Sequence, residues 1–238
     1  MRSLLCFALM LFPLASFANS GPEQLFKIRY QAFAISSELL LYYNPHQGAG
    51  DPRRAEGYRR GVARLQRLVG SGPMVLQEAA SELQRLTEIL EAQPSSADQV
   101  MLRPTWINPI LESQASLDRE AERLYNALPD DPRRSLHALQ LDLARLLLLY
   151  QTRTFGSLGV YLTGTSDDSF VRLDQQITAG FDSLRSRYPS QASELDALRR
   201  KYDFIRPRLL DHSQVWVPES AFYYLDAIAR RLDALDVP

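Results

Sequence analysis

Apolar residues recur along this chain at alternating steps of three and four, the period of a helix with one buried face. Leu195, Leu198, Tyr202, Ile205 and Leu209 form one such stripe; Leu76, Ala79, Leu83, Leu86 and Leu90 form another; Ala221, Leu225, Ile228, Leu232 and Leu235 form a third. No alternating β-branched segment bounded by turn residues occurs. Short polar residues followed by proline mark helix starts, because the side chain accepts from the free first-turn N–H groups and proline lacks only an N–H that has no partner there. Asp51-Pro52, Ser71-Gly72-Pro73, Asn108-Pro109 and Asp131-Pro132 fit that description, and 44–50, 93–98 and 163–168 read as loops. The pattern predicts helices near 22–43, 52–69, 73–92, 109–128, 132–162, 168–187, 191–210 and 219–236. The expected fold is all-α, an antiparallel helical bundle.

The two halves are similar. An offset of 119 brings Gly61 onto Gly180, Leu65 onto Leu184, Ser71 onto Ser190, Leu76 onto Leu195 and Leu90 onto Leu209. An offset of 120 brings Tyr30-Gln31 onto Tyr150-Gln151 and Ser37 onto Ser157. Each half ends with a tryptophan-to-proline segment, Trp106 to Pro109 and Trp216 to Pro218. These correspondences predict an internal duplication, with four-helix units over 19–129 and 130–238.

The start of the chain follows a different logic. Met1-Arg2 is positive, Leu4 to Phe17 is apolar apart from Pro13 and Ser16, and Ser16-Phe17-Ala18 supplies small residues for peptidase recognition. The apolar stretch is shorter than the ~20 residues of a spanning helix, so residues 1–18 read as a cleaved signal peptide. Cleavage would remove Cys6, the sole cysteine, which lacks the preceding small residues of a lipid-attachment site. Leu146 to Tyr150, a purely apolar run that no other in the remainder exceeds, is flanked by Arg145 and Arg153. The expected location is the periplasm, with no membrane-spanning segment after cleavage. A formal net charge of −1 supplies no field for nucleic acid, and none is expected as a partner.

Chemistry-bearing motifs are sparse. His46, His137 and His212 have no ligand at metal-binding spacing, so neutral surface or capping roles are expected and no metal or cofactor is. There is no nucleophile elbow, no zinc-protease helix and no phosphate loop. Glu78, Glu82 and Asp196 sit beside arginines as solvated pairs do. Asp-Pro-Arg-Arg occurs at 51–54 and 131–134, out of register with the duplication, and reads as two similar helix starts. Gly156 and Gly159, each costing ~1 kcal/mol in a helix interior, suggest close approach of another helix, in this chain or in a homodimer. Tyr30, Tyr42, Tyr43, Tyr150 and Tyr161 crowd the first helix of each unit, and Tyr223-Tyr224 the last.

The segment from Leu146 to Tyr161, with Tyr150, Gln151, Arg153, Gly156, Ser157 and Gly159, resembles the first helix of the periplasmic sensing domains of type IV pilus chemoreceptors and nitrate-sensing histidine kinases. Phe170 to Tyr188 and Leu195 to Leu209 follow a similar plan. The resemblance implies four-helix sensing units with an arginine at a dimer interface. Carried over, that arginine is Arg153, with Tyr150 one turn before it; in the first unit the matching position is Phe33. The expected function is non-enzymatic binding of a small ligand, or of a membrane-bound envelope or signalling partner, by a sensor-type module. A structural or adaptor protein of the envelope is the first rival, and an enzyme of unrecognised type the second.

Overall fold

The computed structural model describes residues 21–44, 50–93, 103–155, 168–211 and 215–235. The signal segment, His46, His212, Gly156, Gly159, Tyr161 and the predicted continuation of the fifth helix to 162 lie outside the described residues. Among the described residues eight α-helices occur in order: α1 Pro22–Tyr43, α2 Pro52–Val69, α3 Met74–Glu91, α4 Arg103–Asn126, α5 Arg134–Phe155, α6 Ser169–Arg187, α7 Ala192–Leu210 and α8 Pro218–Asp233. A 3-10 turn, Pro189–Gln191, joins α6 to α7. Among the described residues there is no strand, and no helix is long and apolar enough to cross a membrane.

Two of the four predicted starts follow their predicted chemistry. Asp51 Oδ1 accepts the Arg53 N–H at 2.9 Å, and Asp131 Oδ1 accepts the Arg133 N–H at 2.7 Å. Gly50, at φ 90°, donates its N–H to the Tyr42 carbonyl at 2.9 Å, closing the approach to α2 in a conformation that favours glycine. At α3 Pro73 is itself the cap residue and no side chain accepts there, and Asn108-Pro109 marks no start at all. α4 begins at Arg103 and carries Pro109 in its interior, where the ring removes one backbone hydrogen bond. Proline marked the right helix but the wrong turn.

α1 and α5 are buried almost all round, as central helices are. Leu146 to Tyr150 are all buried. α1 packs on α2, α4 and α5, while α5 packs on α1, α6 and α8; α3 lies between α2 and α4, and α7 between α6 and α8. Two apolar clusters result. One gathers α1 to α4 and takes in Leu141, Ala144, Leu148 and Phe155 of α5. The other gathers α5 to α8 and takes in Leu41 of α1. Each central helix thus lends side chains to the other cluster.

Residue pairings give the registers. Along α1 and α2, Gln24 meets the Leu68 carbonyl, Gln31 and Ile35 meet Gly61, and Glu38 meets Gly57. Along α5 and α6, Ser135 meets Arg187, Leu139 meets Gly180 and Arg153 meets Phe170. Gly61 and Gly180, equated by the offset of 119, both receive a side chain of the preceding helix. Leu139, however, lies 104 residues after Ile35 and 108 after Gln31. The first helices are therefore seated at a different offset from the 120 that aligns Tyr30 with Tyr150.

Candidate functional site

Tyr150 and Arg153 lie one turn apart near the end of α5 and share one site. Tyr150 is fully buried, and its hydroxyl oxygen accepts the Val217 N–H at 2.9 Å. Burial pushes its phenol above the ordinary tyrosine range, against the opposing effect of the Val217 bond. Among the described residues no acceptor takes the phenolic proton. Arg153 is half-buried, with its guanidinium carbon 4.1 Å from the Phe170 ring centre, 5.0 Å from Trp216 and 5.8 Å from Tyr150. Three aromatic faces so distributed favour a cation electrostatically.

Arg153 also reaches the last turn of α7. Its Nη2 donates to the Leu209 carbonyl at 3.1 Å and the Asp211 carbonyl at 2.8 Å, at the end of the helix where a positive charge is stabilised. Nε and Nη1 are buried and, among the described residues, have no hydrogen-bond partner. Burial lowers the Arg153 pKa from the ordinary arginine value, against Tyr150 and Asp211. A buried N–H without an acceptor costs ~1–3 kcal/mol. The site therefore offers donors and a positive charge, and lacks acceptors for two of the donors.

Sequence reasoning found the α5 pair but missed the walls. Phe170 and Val217 come from other helices and joins, and Trp216, noted only as a repeat marker, supplies a ring. No spacing rule links position 153 to positions 170, 209, 211 and 216. Phe33, which the offset of 120 aligns with Arg153, is fully buried in the first cluster, with the Arg145 guanidinium carbon 5.9 Å from its ring centre.

Two other sets of charged groups were also missed. Arg29, 3% exposed, donates from Nε to Asp118 and from Nη2 to Glu122, each at 2.6 Å. Arg145 joins this network at 3.2 Å from Glu122 and 3.2 Å from Asp142. A signal existed: Arg29 interrupts the apolar positions Leu25, Phe26, Ile28, Ala32 and Phe33. His137 corrects the expectation of a surface or capping histidine. It is buried, stacked on Phe26 at 4.1 Å, with Nδ1 2.9 Å from the Tyr125 hydroxyl and Nε2 3.1 Å from Glu23. Burial lowers its pKa, against the pull of Glu23, and so favours the neutral ring. The two Asp-Pro-Arg-Arg segments act as helix starts, while Arg54 reaches Glu219 and the Phe222 ring on α8.

Compared with models of protein families, with curated proteins and with solved structures, the chain gives no match. The resemblance of 146–161 to sensing domains thus stands on those residues alone.

Proposed function

We propose that this is an exported, non-enzymatic binding module that takes a small oxyanion at Tyr150 and Arg153 and works through an envelope partner. The observation that carries the reading is the pair of buried Arg153 donors, Nε and Nη1, without acceptors among the described residues. A small oxyanion supplies acceptors to one or both, and is held by a cation already fixed by three rings and two carbonyls. Such preorganisation lowers the ordering cost of binding. The Tyr150 O–H is a further donor beside it.

The module is read as two antiparallel four-helix units, 19–129 and 130–238, descended from one duplicated unit. The matching pattern of helix contacts in the two halves supports this; the different seating of α1 and α5 implies a slide of the first helix after duplication. Residues 1–18 are read as a periplasmic export signal.

The test is thermal melting of the 19–238 chain with formate, acetate, nitrate, phosphate and sulfate at constant ionic strength. A native-state ligand at a hundredfold its Kd stabilises by ~2.7 kcal/mol, about 5–10 °C for a chain of this size. The reading expects such a shift with one of these anions and its loss in Arg153→Lys, which keeps a charge but not the planar donors. No shift with any of them, or the same shift in the variant, contradicts it.

A further inference from the structure

The outer surface of α7 and α8 carries an aromatic cluster in which Tyr224 packs against the second core while Phe204 and Tyr223 stand in solvent. Phe204 is 68% exposed and Tyr223 66%. The Phe204 and Tyr224 rings lie 5.1 Å apart, and Tyr223 meets Tyr224 edge-on at 5.3 Å. Rings packed edge to face present an apolar surface with polar tips, the composition enriched where proteins meet.

The surrounding charge is one-sided. From Arg199 to Leu210, α7 holds Arg199, Arg200, Lys201, Arg206 and Arg208 against a single acid, Asp203. Arg199 pairs with Asp203, and Arg206 with Asp174. Glu194, which also feels Lys201, is engaged by Arg231. Arg200, Lys201 and Arg208 have no ion-pair partner among the described residues. Positions 200, 204 and 208 follow one another at single-turn steps, with 201 one turn before 204. Uncommitted cations therefore frame Phe204 above, below and beside it. The same helix ends on the carbonyls that Arg153 holds.

We infer that this face docks an acidic segment of a protein partner, with an aliphatic or aromatic anchor on the Phe204–Tyr224 rings and carboxylates on Arg200, Lys201 and Arg208. A lipid surface fits less well, because an inserting helix needs a continuous apolar stripe and Phe204 is bounded by arginines at both neighbouring turns. The inference deepens the reading of a module that acts through another protein, and it stands on residues other than the anion site.

The probe is a fluorescein-labelled peptide of alternating glutamates around one leucine, read by anisotropy against a peptide with serine for glutamate. Saturable binding is expected to the acidic peptide, weakening on going from 50 mM to 500 mM NaCl. Phe204→Ala and Arg200→Glu/Lys201→Glu should each lose about tenfold or more in affinity, as central aromatic and charged contacts do. Both alterations lie on solvent-exposed positions, and both should leave the anion-induced melting shift intact. Equal affinity for both peptides, or unchanged affinity in both variants, overturns the inference. So does binding to phosphatidylserine vesicles in place of the peptide, or self-association that Phe204→Ala abolishes. Loss of the anion shift with docking retained would instead count against the ligand site alone.

Discussion

Arg29→Met is the most informative stability test. The wild-type guanidinium is 3% exposed and spans Asp118 and Glu122 at 2.6 Å each. Burial alone would lower its pKa, but the two carboxylates outweigh that and raise it. Methionine fills much of the volume and leaves Asp118, 11% exposed in its side chain, with Arg145 at 3.7 Å as its remaining cation. Removing one member of a buried pair costs ~3–5 kcal/mol. Glu122 is 39% exposed, so water and Arg145 take up much of its loss. The expected cost is therefore about 2–4 kcal/mol. Urea unfolding followed by far-UV circular dichroism measures it. Arg29→Met/Asp118→Leu should recover at least half, because an apolar pair removes both the charge and its desolvation penalty. A cost of the single variant below ~1 kcal/mol, or a double variant less stable than the single, would refute the argument.

Three further outcomes follow from other contacts. The Glu38 carboxylate lies where a Cβ on residue 57 would stand; burial pushes its carboxyl up to about 7, Asp226 adds to this, and Arg54, Arg60 and Arg230 oppose it. The native state then binds more protons than the unfolded state between the ordinary glutamate value and about 7, so Glu38 costs stability as pH rises through that window. Glu38→Gln should melt higher than wild type at pH 8 and equally at pH 4.5; an equal difference at both would contradict the sign. Gly61→Ala should destabilise more than Gly180→Ala in urea titrations, since the new methyl meets Ile35 Cγ1 at 2.8 Å in one case and Leu139 Cδ1 at 3.2 Å in the other. Tyr202→Phe removes the phenol bond to Asp174 at 2.8 Å. Burial raises the Asp174 pKa, yet the Arg206 and Tyr202 bonds prevail and hold it below the ordinary value. The variant should lose about 1–2 kcal/mol at pH 7, a difference that shrinks as pH falls and Asp174 protonates.

The helices were legible because their signals are local. The α2, α3, α6 and α7 bounds fall within a residue of those read from stripes and helix starts, whereas the central place of α5 follows from the packing. Pro109 misled because proline in an interior turn and proline in a first turn look alike in sequence. The site was half legible: Tyr150 and Arg153 are one helical step apart, but Phe170 and Trp216 reach them only through the packing of α6 and the approach to α8. Arg29 was legible in principle, as a charge in an apolar row. Its partners Asp118 and Glu122, some ninety positions away, were not.

The central claim is that the Arg153 donors receive an anion. Nitrogen-15 labelling of the arginine side chains lets the Arg153 Nε–H resonance, assigned by its loss in Arg153→Lys, be followed while the same anions are titrated. The account predicts a saturable shift of that resonance with one anion, at the concentration that raises the melting temperature. An Arg153 Nε–H that stays in place through every titration, while other arginines move, would contradict it.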